Sequence, residues 1–475
     1  MAIIGAGQAA GIYMVAARWM GVETHCFASE QGSTTQALAD YFYPIDIFDV
    51  DAIAAQCRQI GVGGVVSTSD ITTESTARVA NALGLRGMTL EEGLHVTDKY
   101  WVRSKVAAAA GVRQPRFAKV MSFADLEAAH LSFPFILKPR QGCAKRGVMV
   151  VNDASQMDAA YQYTMDDAHA EGMMLAEEFV PEETIYLVES LSFQGVHHMV
   201  QIAEMVTSGP PHCVEMVAQA PAPISEILQA KVTDAINSIL NAIGHTDGPC
   251  HTELIIHKDE VYLVEVNPRM GGWPISYPMV DIGIGISYHQ CAIEAALGSF
   301  DKTMLTPRYR GSSGIVCVFD KTRQYQPVYR NCENYRWCWQ KCSVTEQLQH
   351  VTHTNMADVN SFIYWSVDGC PELMKDTAPK NAMAQRRILV MGLPDRARLA
   401  EWIAAGCSVT VIAHGHPLPS ESGLIAFDLD PKNPVPVIIL AQIESPEQVV
   451  CTEAQWEPLA EIVCSRLCIK LEKQK

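Results

Sequence analysis

The sequence has no Cys-x-x-Cys pair, although its 475 residues include 15 cysteines. Scattered thiols without knuckle spacing point to reduced side chains in a cytoplasmic protein rather than to a disulfide framework. No apolar stretch approaches the ~20 residues needed to cross a bilayer. No charged leader or cleavage site precedes the first apolar run, Ile3-Ile4-Gly5, so a secretory signal is not expected. Positive charge is in short supply: 36 Lys and Arg against 53 Asp and Glu leave a formal net charge of -17. That balance excludes a nucleic-acid backbone or an anionic membrane as the main partner. It leaves room for a phosphate ligand, because a few lysines and a divalent cation reverse the field inside one cleft. A Gly-Lys-Ser/Thr phosphate loop is also missing.

A chain of this length exceeds one hydrophobic core and implies two to four domains. Over residues 1–95, Ala2 to Ile4, Thr24 to Phe27 and Gly64 to Thr68 read as strands. A glycine turn, Gly5-Ala-Gly7, opens a helix after the first, and this is the rhythm of a doubly wound parallel sheet. A second section covers residues 96–310, with a smaller subdomain at about 115–180. There Phe133 to Pro139, Val148 to Val151 and Met174 to Val180 read as strands, and a helix runs from about Ile224 to Ile243. Apolar runs alternating with turns predict a mixed, largely antiparallel sheet with flanking helices. Residues 311–380 extend this core, and a polar stretch near Thr377 reads as a linker. Arg387 to Gly392 and Ser408 to Ala413 then open a small appended α/β domain over residues 385–475.

The chemistry concentrates in Val261-Tyr-Leu-Val-Glu265-Val-Asn267-Pro-Arg269. Residues two apart on a strand share a face, so Glu265 and Asn267 present two hard oxygen ligands together, suited to Mg²⁺ or Mn²⁺. The turn His257 to Glu260 folds the preceding strand back and brings Glu253 alongside. Arg269 lies where a guanidinium would grip a carboxylate in two-pronged fashion. Lys138 ends a strand beside a glycine-containing basic loop that includes Gly142 and Gly147. Lys99 starts a helix. Cys332, Cys338, Cys342, His350 and His353 cluster loosely, but their spacing matches no zinc pattern and ordinary cysteines are expected.

Taken in order, these segments resemble the ATP-grasp superfamily, from about Asp98 to Ala295, with the preceding Rossmann-like domain in the expected place. The resemblance implies an ATP-grasp fold with a small lid subdomain. It assigns ATP contacts to Lys99, Lys138, Gly142 and Gly147, and a ribose contact to Glu183. The adenine hinge falls on Glu177, Glu178 and Val180, with Glu177 accepting the adenine amino group. Metal ligation falls to Glu253, Glu265 and Asn267. The lid departs from the family pattern in carrying Ala144-Lys145-Arg146 where serines are common.

His251, two residues before Glu253, resembles the L-amino acid ligase branch. So do Glu215 upstream of a Pro-Ala-Pro turn and the run Arg269-Met-Gly271-Gly272. In that branch Arg269, Lys138 and His251 would be catalytic, and Glu215, Arg269, Gly271 and Gly272 would meet substrate. His251 reads equally well as a core histidine bonded to backbone. The implied function is an ADP-forming ligase that joins a small carboxylate to an amine, both expected to be amino acids, through an acyl phosphate. Self-association as a homodimer is compatible with it. Two other readings are a NAD(P)-dependent oxidoreductase using Gly5, Gly7 and Ala10 with Glu30 on ribose, and a non-catalytic protein of ATP-grasp shape.

Overall fold

A strand followed by a glycine turn and an alanine-rich helix opens the fold. β1 (Ala2–Ile4) is fully buried, α1 (Gln8–Trp19) follows, and β2 (His25–Phe27) pairs parallel to β1. Gly5 between them has φ +102, a conformation L side chains rarely adopt. β3 (Tyr41–Tyr43), α2 (Val50–Ile60) and β4 (Val65–Ser67) complete a parallel sheet of order β3-β2-β1-β4. α3 (Thr73–Leu83) and α4 (Leu90–His95) lead out of it. This computed structural model describes residues 1–474 except 143–146, 168–169, 182–183, 210–212, 336, 346, 352–358 and 367–385.

α5 (Lys99–Lys105) is shorter than its alanine-rich sequence suggests, because it tightens to a 3-10 turn at Val106. The next sheet is antiparallel, of order β5-β8-β6-β7. It consists of β5 (Phe117–Val120), β6 (Phe135–Pro139), β7 (Met149–Val151) and β8 (Met174–Glu178). α6 (Phe123–Ala128) and α7 (Met157–Met165) cover it. Leu126 and Ala160 from these helices share a core with Phe135, Leu137, Val151, Met174 and Ala176.

An eight-stranded sheet forms the centre, of order β13-β12-β9-β10-β11-β14-β16-β15. Its first strands are β9 (Thr184–Phe193), β10 (Val196–Thr207), β11 (Glu215–Ala220), β12 (Gly248–His257) and β13 (Glu260–Asn267). β14 (Ser312–Cys317), β15 (Cys338–Cys342) and β16 (Ser361–Ser366) extend it, and α11 (Gln326–Arg330) lies between β14 and β15. All pairings between these named strands are antiparallel, with one parallel bridge from Arg113 to Tyr262 at the β13 edge.

One face of this sheet is closed by α8 (Glu226–Ile243). Val232, Ala235, Ile236, Ile239, Leu240 and Ile243 recur at helical spacing and pack on Val188, Leu254, Leu263 and Val266. Burying each branched side chain stabilises the pair by about 2 kcal/mol. The alternation of a strand then sends the intervening residues of β9, β12 and β13 to the opposite face, and these include the polar ones.

α9 (Met279–Ile284) and α10 (Tyr288–Leu297) follow β13. α10 shares one core with α1 and with the last part of the chain. That part is a parallel sheet of order β19-β18-β17-β20-β21. Its elements are β17 (Arg387–Met391), α12 (Arg396–Ala404), β18 (Ser408–Ala413), β19 (Leu424–Asp428), α13 (Pro434–Glu444), β20 (Gln448–Cys451), α14 (Glu457–Leu467) and β21 (Leu471–Lys473). It docks through polar contacts as well as apolar ones: Arg18 donates to the Ala426 carbonyl at 2.9 Å and Trp19 Nε1 to Glu444 Oε1 at 3.1 Å.

One expectation about cysteine changes. Cys332 and Cys338 are joined as a disulfide, contrary to the reading of uniformly reduced thiols, because a short 3-10 turn brings Cys332 back onto the start of β15. Among the described residues no three His, Cys, Asp or Glu side chains converge as a metal site. Nδ1 of His350 bonds Asp320 instead, and His353 lies outside the described residues, as does the linker near Thr377. No helix among the described residues is long and apolar enough to cross a membrane.

Candidate active site

The two-residue turn Lys258-Asp259, with φ of 52 and 60, sets the register of the hairpin β12–β13. In that register Glu253 stands opposite Glu265 and His251 opposite Asn267, while Glu189 of β9 stands opposite His251. Two cross-strand rows therefore share the face away from α8: one of two carboxylates, the next of Asn267, His251 and Glu189. Three hard oxygen donors in adjacent positions fit a Mg²⁺ ion whose remaining ligands are phosphate oxygens and water.

Lys99 reaches this row because Asp98 caps α5. The Asp98 carboxylate accepts from the amides of Tyr100 and Trp101 at 2.9 and 3.2 Å and from Arg140 Nε at 2.8 Å. As the first helical residue, Lys99 then places its Nζ 3.2 Å from Glu265 Oε1 and donates to the Gly142 carbonyl at 2.9 Å. Gly142 has φ +108. Gly147 has φ +67, and a Cβ there would lie 2.6 Å from the Pro139 ring. Residues 143–146 between them, and Glu183, lie outside the described residues.

Lys138 and Glu177 were expected to meet phosphate and adenine separately, but the structure ties them to each other. Lys138 Nζ is 2.5 Å from Glu177 Oε2, and Arg103 Nε donates to Glu177 Oε1 at 2.6 Å. Arg103 also donates to the Val264 carbonyl at 3.0 Å, which links the small sheet to β13. All three side chains are buried. Burial alone would raise the Glu177 carboxyl, but Arg103 and Lys138 outweigh it and hold it at about 2. Burial lowers Lys138 to about 8, with Glu177 opposing the shift. Glu178 is also engaged: its amide donates to the Arg116 carbonyl at 2.9 Å and its carboxylate pairs with the Arg116 guanidinium at 3.0 Å. Val180 lies just past the end of β8.

Arg269 grips a carboxylate of the protein itself. Nε and one terminal nitrogen donate to the two oxygens of Asp70 at 2.6 Å each, and the other terminal nitrogen donates to the Met270 carbonyl at 2.8 Å. Burial would raise the Asp70 carboxyl, but the guanidinium holds it below its ordinary range. His251 bonds a side chain, not backbone. Its Nδ1 is 2.6 Å from Glu189 Oε1 and its Nε2 is 3.7 Å from Glu253 Oε1. Burial would lower His251, but the two carboxylates raise it to about 9, so the ring carries a proton at neutral pH. The other Glu189 oxygen accepts the Gly271 amide at 3.3 Å. A Cβ on Gly271 would fall 2.2 Å from Glu189 Oε1, so only glycine fits there.

Beside this group opens a cavity of about 230 Å³, walled by α1, the loop after β4 and the segment from Arg269 to Ser276. Gly271 and Gly272 line it, as do Gln8 and Ala9 at the start of α1. The glycine turn thus borders the same cavity as Arg269, whereas Glu30 is exposed. Glu215 is not drawn in. It pairs with Thr207 at the start of β11, three strands from β12 and four residues along from the Glu253 row.

Comparison with known proteins bears on the fold that carries these residues. Residues 131–277 match the family model described as an ATP-grasp domain. That segment is an ATP-grasp domain. The matched ATP-grasp segment contains Lys138, Glu177, Glu253, Glu265, Asn267 and Arg269 but neither Lys99 nor Asp70. Among solved structures, an L-amino acid ligase from Bacillus licheniformis superposes with a TM-score of 0.64 at 22% identity, covering 77% of this chain and 93% of that one. The ADP complex of an N5-carboxyaminoimidazole ribonucleotide synthetase gives 0.62 at 16% identity, covering 77% and 93%. An uncharacterized protein y4rH of Sinorhizobium fredii is 26% identical over 247 residues, which is 48% of this chain and 49% of that protein. A formate-dependent phosphoribosylglycinamide formyltransferase of Corynebacterium jeikeium is 23% identical over 337 residues, 67% of this chain and 78% of the relative.

Three residues of the candidate site escaped the sequence reading. Arg103 sits four residues after Lys99, on the same helix face. Glu189 is a lone acid in the apolar run Leu187 to Leu191. Asp70 follows a parallel strand at its carboxyl end, where open α/β sheets place ligands.

Proposed function

We propose that the protein is an ADP-forming ligase that joins a small carboxylate to an amine, with amino acids as both substrates. The observation that carries this reading is the facing pair Glu253 and Glu265, with Lys99 on one flank and Arg269 at the mouth of the cavity on the other. Glu253, Glu265 and Asn267 would hold Mg²⁺ (or Mn²⁺), which when bound supplies positive charge against the phosphate oxygens.

A carboxylate is a poor electrophile and needs activation. One oxygen of the substrate carboxylate attacks the γ-phosphorus of ATP, the bond to the β,γ-bridging oxygen breaks, and ADP leaves. The amine nitrogen then attacks the acyl carbon, phosphate departs with the electron pair of the C–O bond, and the nitrogen loses a proton. Catalysis of the first step rests on positioning and charge neutralisation. Lys99 and Lys138 serve the phosphates, and Arg269 holds the carboxylate and then the acyl phosphate, exchanging Asp70 for the substrate. His251, protonated and anchored on Glu189, keeps Gly271 and the Arg269 segment in place. The basic loop would exclude water, which otherwise hydrolyses the acyl phosphate.

The test is a phosphate-release screen of paired amino acids and amines with ATP and Mg²⁺, with products identified by mass. An amide product with equimolar ADP is expected. A folded protein that binds ATP but forms no ADP across the panel would be a silent nucleotide-binding module. Tight NADH binding without ATP binding would establish the oxidoreductase reading instead.

A further inference from the structure

The cavity beside Arg269 has an end that the ligase reading does not use. Tyr13 of α1 and His289 of α10 both line it, only 1% and 4% exposed. The Tyr13 hydroxyl and His289 Nδ1 are buried and have no hydrogen-bond partner among the described residues. Their rings meet edge to face with centroids 4.8 Å apart, and Tyr277 braces His289 from another side at 5.8 Å. Neither ring can swing out to find a partner without breaking that packing. Two unpaired polar groups on one wall of a cavity are costly in the empty protein and are satisfied by a ligand that brings the matching groups.

The chemistry of the pair narrows the ligand. Burial holds His289 down at about 3, so the ring is neutral and offers one donor and one acceptor. The phenol hydroxyl donates or accepts as required. Of the ionised groups on this cavity, Asp70 is committed to Arg269, and Glu189 behind Gly271 is committed to His251 and the Gly271 amide. A charged group at this end would be desolvated without a counter-ion, and an aliphatic one would leave both polar groups unpaired. A neutral group that both donates and accepts fits.

Resting on the ligase reading for the role of Arg269, we propose that Tyr13 and His289 are specificity-determining residues that read a hydroxyl or carboxamide on the side chain of the amino acid whose carboxylate Arg269 holds. The 230 Å³ cavity accommodates one such molecule between the two ends.

The experiment uses near-isosteric pairs, threonine against valine, asparagine against leucine and glutamine against methionine. Each is titrated calorimetrically into the full-length protein loaded with Mg²⁺ and a non-hydrolysable ATP analogue, and phosphate release with ATP is measured in parallel. At least one polar member should bind about 10-fold or more tightly than its isostere, since a site built to hydrogen-bond rejects the analogue lacking the group. Tyr13→Phe should cut that ratio to within about 3-fold, and the ligand-free variant should melt no lower than wild type, because an unpaired hydroxyl has been removed. If Tyr13→Phe does not fold, His289→Phe takes its place with the same expected collapse of the ratio. Equal or tighter binding of the apolar members, binding of neither member of any pair, or a ratio unchanged in the folded variant would overturn the proposal. Polar preference without phosphate release would uphold it while removing the ligase reading; turnover without preference would do the reverse.

Discussion

Glu253 and Glu265 occupy one ladder position of two adjacent antiparallel strands, so two carboxylates face each other on the polar side of the central sheet. Like charges placed opposite repel, and Lys99 at 3.2 Å from one and His251 at 3.7 Å from the other oppose that repulsion. The arrangement is suited to a divalent cation. Glu265→Gln is expected to lower ADP formation by about 100-fold or more while circular dichroism shows an unchanged fold. Retained turnover would remove Glu265 from the metal role.

The buried triad of Arg103, Glu177 and Lys138 couples the small sheet to β13. Removing one member leaves charge uncompensated in the interior, so Arg103→Met should destabilise the protein by about 3–5 kcal/mol in chemical denaturation. Lys138→Ala should be milder, because Arg103 still pairs Glu177, and should instead raise the ATP concentration needed for half-maximal turnover. An unchanged ATP requirement would argue that Lys138 is structural alone.

The same triad sets a pH dependence. Burial would raise Glu177, yet its two cations hold it at about 2, below its ordinary 4.5. A depressed carboxyl stabilises the fold fully above about 4.5 and loses that contribution as pH falls toward about 2. The melting-temperature difference between wild type and Glu177→Gln should therefore be constant from pH 7 to 5 and shrink below 4.5. A constant difference down to pH 3 would mean the carboxylate is not held low.

Arg269 and Asp70 form a two-pronged pair across 199 positions of sequence, joining the acidic strand to the N-terminal parallel sheet. Arg269→Ala should abolish carboxylate activation even at saturating ATP. Asp70→Asn keeps the shape but weakens the grip on Arg269. It is expected to change the Michaelis constant for the carboxylate substrate several-fold while leaving that for ATP within about 2-fold. Steady-state kinetics with each substrate varied separately checks both, and a matching shift in the ATP constant would place Asp70 in the nucleotide site.

Gly271 has no room for a methyl group: a Cβ would lie 2.2 Å from Glu189 Oε1 and 2.7 Å from His251 Nδ1. Gly271→Ala should break the Glu189–His251 pair and cost about 2 kcal/mol or more, as a buried hydrogen-bonded charge loses its partner. Gly272→Ala meets nothing within 4 Å among the described residues and serves as the comparison. Equal melting temperatures for the two variants would show that the segment adjusts freely.

The features legible in the sequence are those that a few neighbouring residues decide. Period-two alternation puts Glu265 and Asn267 on one face, the turn from His257 to Glu260 brings Glu253 beside them, and a helix starts at Lys99. Backbone geometry enforces these relations over short spans, so composition and spacing suffice. The order of the ATP-grasp segments was readable for the same reason, and the short strands of the parallel sheets shifted by only a residue or two. What only the tertiary structure decided is the partner of each buried charge. Glu177 finds Arg103 across 74 positions, His251 finds Glu189 across 62, and Arg269 finds Asp70 across 199. Desolvation forces each buried ion to pair, but which partner it meets depends on how whole sheets pack, and no local pattern encodes that. Glu215 shows the converse: the motif that suggested it is local, while two intervening strands, β9 and β10, keep it away from the Glu253 row.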